Sequence, residues 1–219
     1  SRSSTVEELR KLVNSLFNRD RFAFVLAETA TNELRGVAFS TAPGSAEYFD
    51  FENCDDQKEA TKLLKEIFDN GLIEKSTHDL KRATHLLGKF GIRVETATDD
   101  TMLQAYLLDA ERSKFELTGL ANEHLGGYGL AKEQDETAQA AELTGRLADV
   151  MNAKIADDKI QFDFQEQTLD YVYQQIEMPL VPLLCEIENA GFRVDTDVLA
   201  KLSVEMAEEI ERLSLKIYE

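Results

Sequence analysis

The sequence predicts an α/β fold, a mixed β-sheet flanked by helices, with a helical extension at the C-terminal end. Three short apolar runs of strand character, at 21–26, 36–40 and 47–51, follow one another over short links, as in an antiparallel meander. From there to about residue 94, apolar residues spaced by threes and fours alternate with short extended runs, which places helices on the faces of a sheet. Beyond residue 165 the pattern is helical only.

Each element has its local reason. Thr5 and Glu8 form a capping-box pair, and Leu9, Leu12, Val13 and Leu16 make the stripe of a first helix. Phe22 to Leu26 is a near-continuous apolar run, suited to a strand covered on both faces. Pro43-Gly44 is the turn between the second and third strands. Asp55 or Asp56 caps a helix through Ala60, Leu63, Leu64 and Ile67, which Asn70-Gly71 ends. A short strand follows at 72–75. Asp79 caps the next helix, through Leu80, Ala83, Leu86, Leu87 and Phe90, which Gly91 ends. Residues 92–94 read as a strand, and a helix from about Asp100 turns Leu103, Tyr106 and Leu107 inward.

A short helix is expected at 117–125, with Gly126-Gly127-Tyr128-Gly129 as a structural link. It has no Lys-Ser/Thr for a phosphate loop. Helices at 131–155 and 165–189 follow, the second bent or broken by Pro179 and Pro182 and closed by Asn189-Ala190-Gly191. After an extended 192–195, a last helix carries Leu199, Leu202, Met206, Ile210, Leu213 and Ile217, a stripe with little left to pack on.

Composition narrows the function. Hydrophobic residues at 43% support a core. No apolar run is long enough to span a membrane. The formal net charge of -18 argues against tight nucleic-acid binding over the whole surface. Ser1-Arg2-Ser3-Ser4 is not followed by the apolar run of a signal peptide, and the missing initiator Met suggests a piece of a longer chain. Cys54 and Cys185 have no metal spacing and read as two reduced, buried thiols of a cytoplasmic protein. The three histidines have no Ser or Cys partner for a triad and no zinc spacing.

Several segments together carry a resemblance. These are Asp79-Leu80-Lys81, Asp100-Thr101-Met102-Leu103 with Tyr106-Leu107-Leu108, the helix end Phe90-Gly91-Ile92, and Ile176-Glu177-Met178-Pro179-Leu180 followed by Gly191-Phe192-Arg193-Val194-Asp195. Over nearly its whole length the chain resembles the 3'-5' exonuclease (proofreading) domain of the bacterial DNA polymerase I family (family A), joined to the start of a polymerase domain. The resemblance implies a ribonuclease H-like exonuclease domain over 1–165. It implies a junction helix and the beginning of the polymerase (thumb) domain over 166–219.

It also implies a site. Family exonucleases hold two metal ions about 4 Å apart with carboxylates from three motifs. At the matching positions this chain has Val25 and Ala27 on the first strand, Ala83 after Leu80-Lys81, and Ala140 in the third segment, where Glu136 takes the place of the family's tyrosine. None of the four can ligate a hard cation, which needs oxygen. The expectation is therefore no catalytic, cofactor-binding or metal residue here, and a catalytically inactive domain that supports a parent polymerase. That parent uses Mg2+, meets DNA, and is a cytoplasmic monomer whose downstream polymerase domain partners this one. Two alternatives stand beside it. One is an active exonuclease with displaced ligands drawn from Glu28, Asp79, Asp99, Asp100 and Glu142, with His78 and His85 near. The other is a module that binds single-stranded DNA without cutting, with Phe90, Phe115 and Tyr128 as platforms.

Overall fold

The computed structural model describes residues 2–126, 135–157 and 168–218. Its sheet has six strands in the order β1-β4-β3-β2-β5-β6. The centre is the expected meander: β2 (Arg21–Glu28), β3 (Leu34–Ala42) and β4 (Ser45–Asp50) are antiparallel neighbours. β5 (Glu74–Thr77) and β6 (Ala97–Asp100) add parallel strands beyond β2. At the other edge a two-residue β1 (Arg2–Ser3) pairs parallel with β4. Two residues give no periodicity, so that strand was not legible in the sequence.

One face of the sheet carries α1 (Val6–Leu16), α2 (Gln57–Phe68) and α3 (Leu80–Gly88). Their stripes and the strand residues Phe22, Phe24, Val37, Phe39 and Phe49 form the main core. Thr5 closes the capping box with Glu8, and Asp56 and Asp79 cap the next two helices. The other face is covered by the long α6 (Glu136–Asp157), which sets Ala138 and Ala141 against Ala38 and Tyr48. The approach is close: a Cβ at Gly145 would lie 3.2 Å from that of Ala23. α4 (Thr101–Leu108) and α5 (Leu117–His124) pack beside α6 through Ala105, Leu120, Leu147 and Met151.

Three local expectations are corrected. Residues 92–94 are not a strand. Ile92 is buried but in irregular chain, and the strand is Ala97–Asp100, whose polar Ala-Thr-Asp-Asp sequence hides it. The inward face of α4 is Thr101, Gln104 and Ala105, while Tyr106 is 44% exposed, because α4 starts on the buried carboxylate of Asp100 and meets α6 through a polar network. Of the bend or break expected at Pro179 and Pro182, the break does not occur. α7 (Leu169–Val172) runs through a π-helical turn, Tyr173–Glu177, into α8 (Met178–Ala190), with Pro182 inside it. Pro179 has no N–H for a bond four residues back, and the wider turn just before it, closed by Met178 N–H on Tyr173 O, absorbs the loss.

That turn is tied to the sheet. Tyr173 is fully buried; its hydroxyl accepts from Asp100 N at 2.7 Å and donates to Thr98 O at 3.3 Å, so it satisfies the backbone of the edge strand β6. Tyr173→Phe leaves both groups buried without that partner. The expected loss is about 2 kcal/mol in denaturant unfolding; a variant as stable as the native chain would count against this tie.

By internal contacts the chain forms two compact units, Ser1–Cys185 and Glu186–Glu219. The second consists of the last residues of α8, the irregular 191–195 and α9 (Thr196–Tyr218). Gly191, at φ +63, ends α8 as the sequence suggested. No described residue of α9 is buried. No helix among the described residues is long and apolar enough to cross a membrane. Cys185 is buried and Cys54 is only half-buried, and neither forms a disulfide. Residues 127–129 of the glycine link with Tyr128, the expected helical start at 131–134, and the division at 165/166 lie outside the described residues.

Candidate functional site

A cleft of about 360 Å³ opens between the end of β2, the end of β5 and the start of α3. It is lined by Val25, Glu28, His78, Asp79, Arg82 and Ala83, among others. Two of the four matched positions, Val25 and Ala83, thus meet in one place. Ala27 does not line the cleft; with Val25 it packs towards Ala138 and Ala141 of α6. Ala140 belongs to neither the cleft lining nor that cluster. Glu136 is exposed at the start of α6.

The carboxylates nearby are all engaged. Glu28 follows a register slip between Ala27 and Glu28, where β3 advances from Gly36 to Leu34 past an extra Arg35. The extra residue is on β3, so Glu28 keeps the face opposite to Ala27. There it holds the Arg82 guanidinium bidentately, at 2.6 Å from Nε and 2.8 Å from Nη2. The Glu28 carboxylate and the neighbouring Asp79 raise the Arg82 pKa. Asp79 caps α3 by accepting from Arg82 N, and does so from the left-handed region at φ +64, which non-glycine residues seldom adopt. Its own N–H donates to Asp100.

Asp100 and Asp99 sit deeper, at the end of β6. Asp100 accepts from the backbone of Asp79, Leu80, Met102 and Leu103, and burial raises its pKa. It caps α4, as the sequence indicated. Asp99 accepts from Ser76, Thr98, Gln104 and Asn152. Glu142 faces elsewhere: it accepts from Gly44 N at 3.1 Å and pairs with Arg146, holding α6 to the β3–β4 turn. His78 bonds Thr101 through Nδ1 at 2.8 Å, and burial lowers its pKa. His85 lies on α3 outside the lining. The aromatic candidates are also occupied. Phe90 packs edge-on against Phe51, and Phe115 against Tyr106.

The five acids therefore fall into three places: Glu28 and Asp79 at the cleft, Asp99 and Asp100 at the end of β6, Glu142 at the turn. Among the described residues there is no group of three or more His, Cys, Asp or Glu side chains placed to hold a metal ion. The residue that sequence reasoning missed is Arg82. It is separated from Glu28 by 54 positions, and no local pattern announces that pair.

Comparison with known proteins places the chain in context. Residues 26–137 match the family model described as DNA polymerase I, ribonuclease H-like domain. The DNA polymerase I of Caldicellulosiruptor bescii is 31% identical over 157 residues, which is 72% of this chain and 17% of that protein. That of Synechocystis is 26% identical over 99% of this chain and 24% of its own length. Among solved structures, the POL domain of Pol1 from M. smegmatis, in complex with DNA primer-template and dNTP, superposes with a TM-score of 0.76 at 25% identity, covering 97% of this chain and 36% of that one. The chain thus spans between 17% and 24% of the length of these curated relatives.

Proposed function

The chain belongs to the family of DNA polymerase I ribonuclease H-like domains, and from that membership we propose that it is the exonuclease-like part of a DNA polymerase, that it no longer hydrolyses DNA, and that it braces the polymerase domain of its parent. The observation that carries the loss of chemistry is the Glu28–Arg82 bridge. In the cleft where Val25 and Ala83 meet, the positive charge beside the one strand carboxylate is a guanidinium paired with it bidentately. A pair of hard cations needs several converging oxygens. Val25 and Ala83 offer none, Glu28 is occupied, and Asp79 caps a helix. That donor set does not fit the two-metal chemistry of an exonuclease.

The parent would extend primers with template, deoxynucleotides and Mg2+, as a cytoplasmic monomer that meets DNA elsewhere in its chain. We assign 1–165 to the exonuclease-like domain and 166–219 to the lead into the polymerase part. In support of this, α9 exposes Leu199, Leu202, Met206, Ile210, Leu213 and Ile217, and a downstream polymerase domain would cover that stripe. Leu169 to Cys185 belong to the first compact unit.

The test is a 3'-end assay on single-stranded DNA with Mg2+ or Mn2+, using the full chain freed of contaminating nucleases. The expected result is no shortening above background. Shortening that disappears in Glu28→Ala or Asp79→Ala would overturn the proposal in favour of displaced ligands.

A further inference from the structure

A second polar pocket lies between α4, α5 and the C-terminal part of α6. It has a volume of about 200 Å³ and is floored by Ala105, Leu108 and Leu120. Its lining shares no residue with that of the cleft. Three nitrogenous side chains from three segments converge there. Lys154 Nζ donates to His124 Nδ1 at 2.7 Å, and Arg112 also lines the pocket. Two carboxylates also face the pocket: Glu123 pairs with Arg112 and stands 3.6 Å from His124 Nε2, and Asp109 is 3.8 Å from Arg112 Nε.

The setting disfavours a charged His124, while Arg112 and the other cations stabilise the Glu123 carboxylate. A packed imidazole, its side chain 12% exposed, is crowded by an ammonium and a guanidinium. Burial and both cations push the His124 pKa down, against the pull of Glu123. Among the described residues no carboxylate lies within ion-pair distance of Lys154 Nζ. Its ammonium has three N–H donors and spends one on the imidazole. The Arg112 guanidinium has five donors and two carboxylate neighbours. Such a site gains on receiving an oxyanion. The spare donors find acceptors, and His124 can take a proton and turn from acceptor to donor. Glu123, half exposed, can swing into water to make room.

We propose that Arg112, His124 and Lys154 form a binding site for a phosphate oxyanion. The charge and the tetrahedral demand for several N–H donors favour phosphate over a planar carboxylate, which Glu123 and Asp109 already supply. The phosphate is either a free or terminal group or a phosphodiester of a nucleic-acid strand. The inference is independent of the cleft and of whether the domain cuts DNA.

The experiment follows the His124 imidazole resonances of the full chain while inorganic phosphate is added at constant ionic strength in sodium chloride. The expected result is a saturable shift with His124 moving towards its protonated position. The shift should be weaker by about ten-fold in Lys154→Met and retained in Lys154→Arg, with both variants folded as judged by their amide spectra. Absence of a saturable shift, or an equal shift in Lys154→Met, overturns the proposal. Repeating the titration with an oligothymidylate carrying either a 5'-phosphate or a 5'-hydroxyl separates the sources. Binding of the first alone identifies a terminal phosphate, and binding of both a phosphodiester; each outcome supports the site.

Discussion

Replacing Lys75 with methionine is expected to destabilise the fold by about 3 kcal/mol at pH 7, read from denaturant unfolding. Lys75 is wholly buried, on β5 beneath the main core. Its ammonium donates to the carbonyls of Asn70, Ile73 and Glu95 at 2.7, 2.8 and 2.7 Å, and lies 5.8 Å from the centre of the Phe22 ring. Methionine keeps the apolar stem and removes every donor. Each carbonyl left unpaired costs about 1–3 kcal/mol, which outweighs the relief of not burying a charge. The pH dependence separates the two effects. Burial lowers the Lys75 pKa from 10.5 to about 8. Between those values the unfolded chain holds a proton that the folded chain has released, so native stability gains from Lys75 as pH rises through that window. At about 1.4 kcal/mol per unit the gain approaches 3 kcal/mol. Lys75→Met lacks it, so the gap between the two proteins should widen from pH 8 to 10.5. A constant gap would show that Lys75 stays charged in the fold throughout.

Gly36→Ala is expected to cost about 3 kcal/mol, an effect large for one methyl group. A Cβ there would stand 2.1 Å from Tyr48 Oη, 2.4 Å from Tyr48 Cζ and 2.6 Å from the carbonyl oxygen of Phe49. The ring of Tyr48 lies across Gly36 and is itself covered by Arg2, whose guanidinium sits 5.2 Å from the ring centre and pairs with Asp50 at 2.6 Å. The ring cannot rotate away without opening that stack, and the Phe49 carbonyl belongs to the paired strand β4. Gly88 is the internal comparison. It ends α3 with nothing near its missing Cβ, and Gly88→Ala should be neutral or stabilising by about 0.5 kcal/mol. Equal melting temperatures for the two variants would contradict this reading of Gly36.

Much of the fold was legible because its rules are local. The capping box at Thr5, the stripe from Leu9 to Leu16, the Pro43-Gly44 turn and the caps at Asp56, Asp79 and Asp100 all act within a few residues. The strands of the meander announced themselves because apolar runs are what a doubly covered sheet needs. Where polar groups are buried, the same reasoning failed. Asp99 and Asp100 in β6 and Lys75 in β5 look like surface residues in a sequence, because charged side chains usually are. Only the assembled fold supplies the Ser76, Asn152 and backbone partners that make their burial tolerable.

For the candidate site the division is similar. The sequence by itself determined that Val25, Ala27, Ala83 and Ala140 carry no ligand oxygen, since residue type alone settles that. It also determined that the chain is an α/β domain followed by helices. Only the tertiary structure decided that Val25 and Ala83 share a cleft while Ala140 lies apart, that Glu142 serves a turn, and that Arg82 closes on Glu28. The reason is physical: an ion pair across 54 residues depends on how α3 lies against β2, and that placement comes from the packing of the main core rather than from any pattern around either residue.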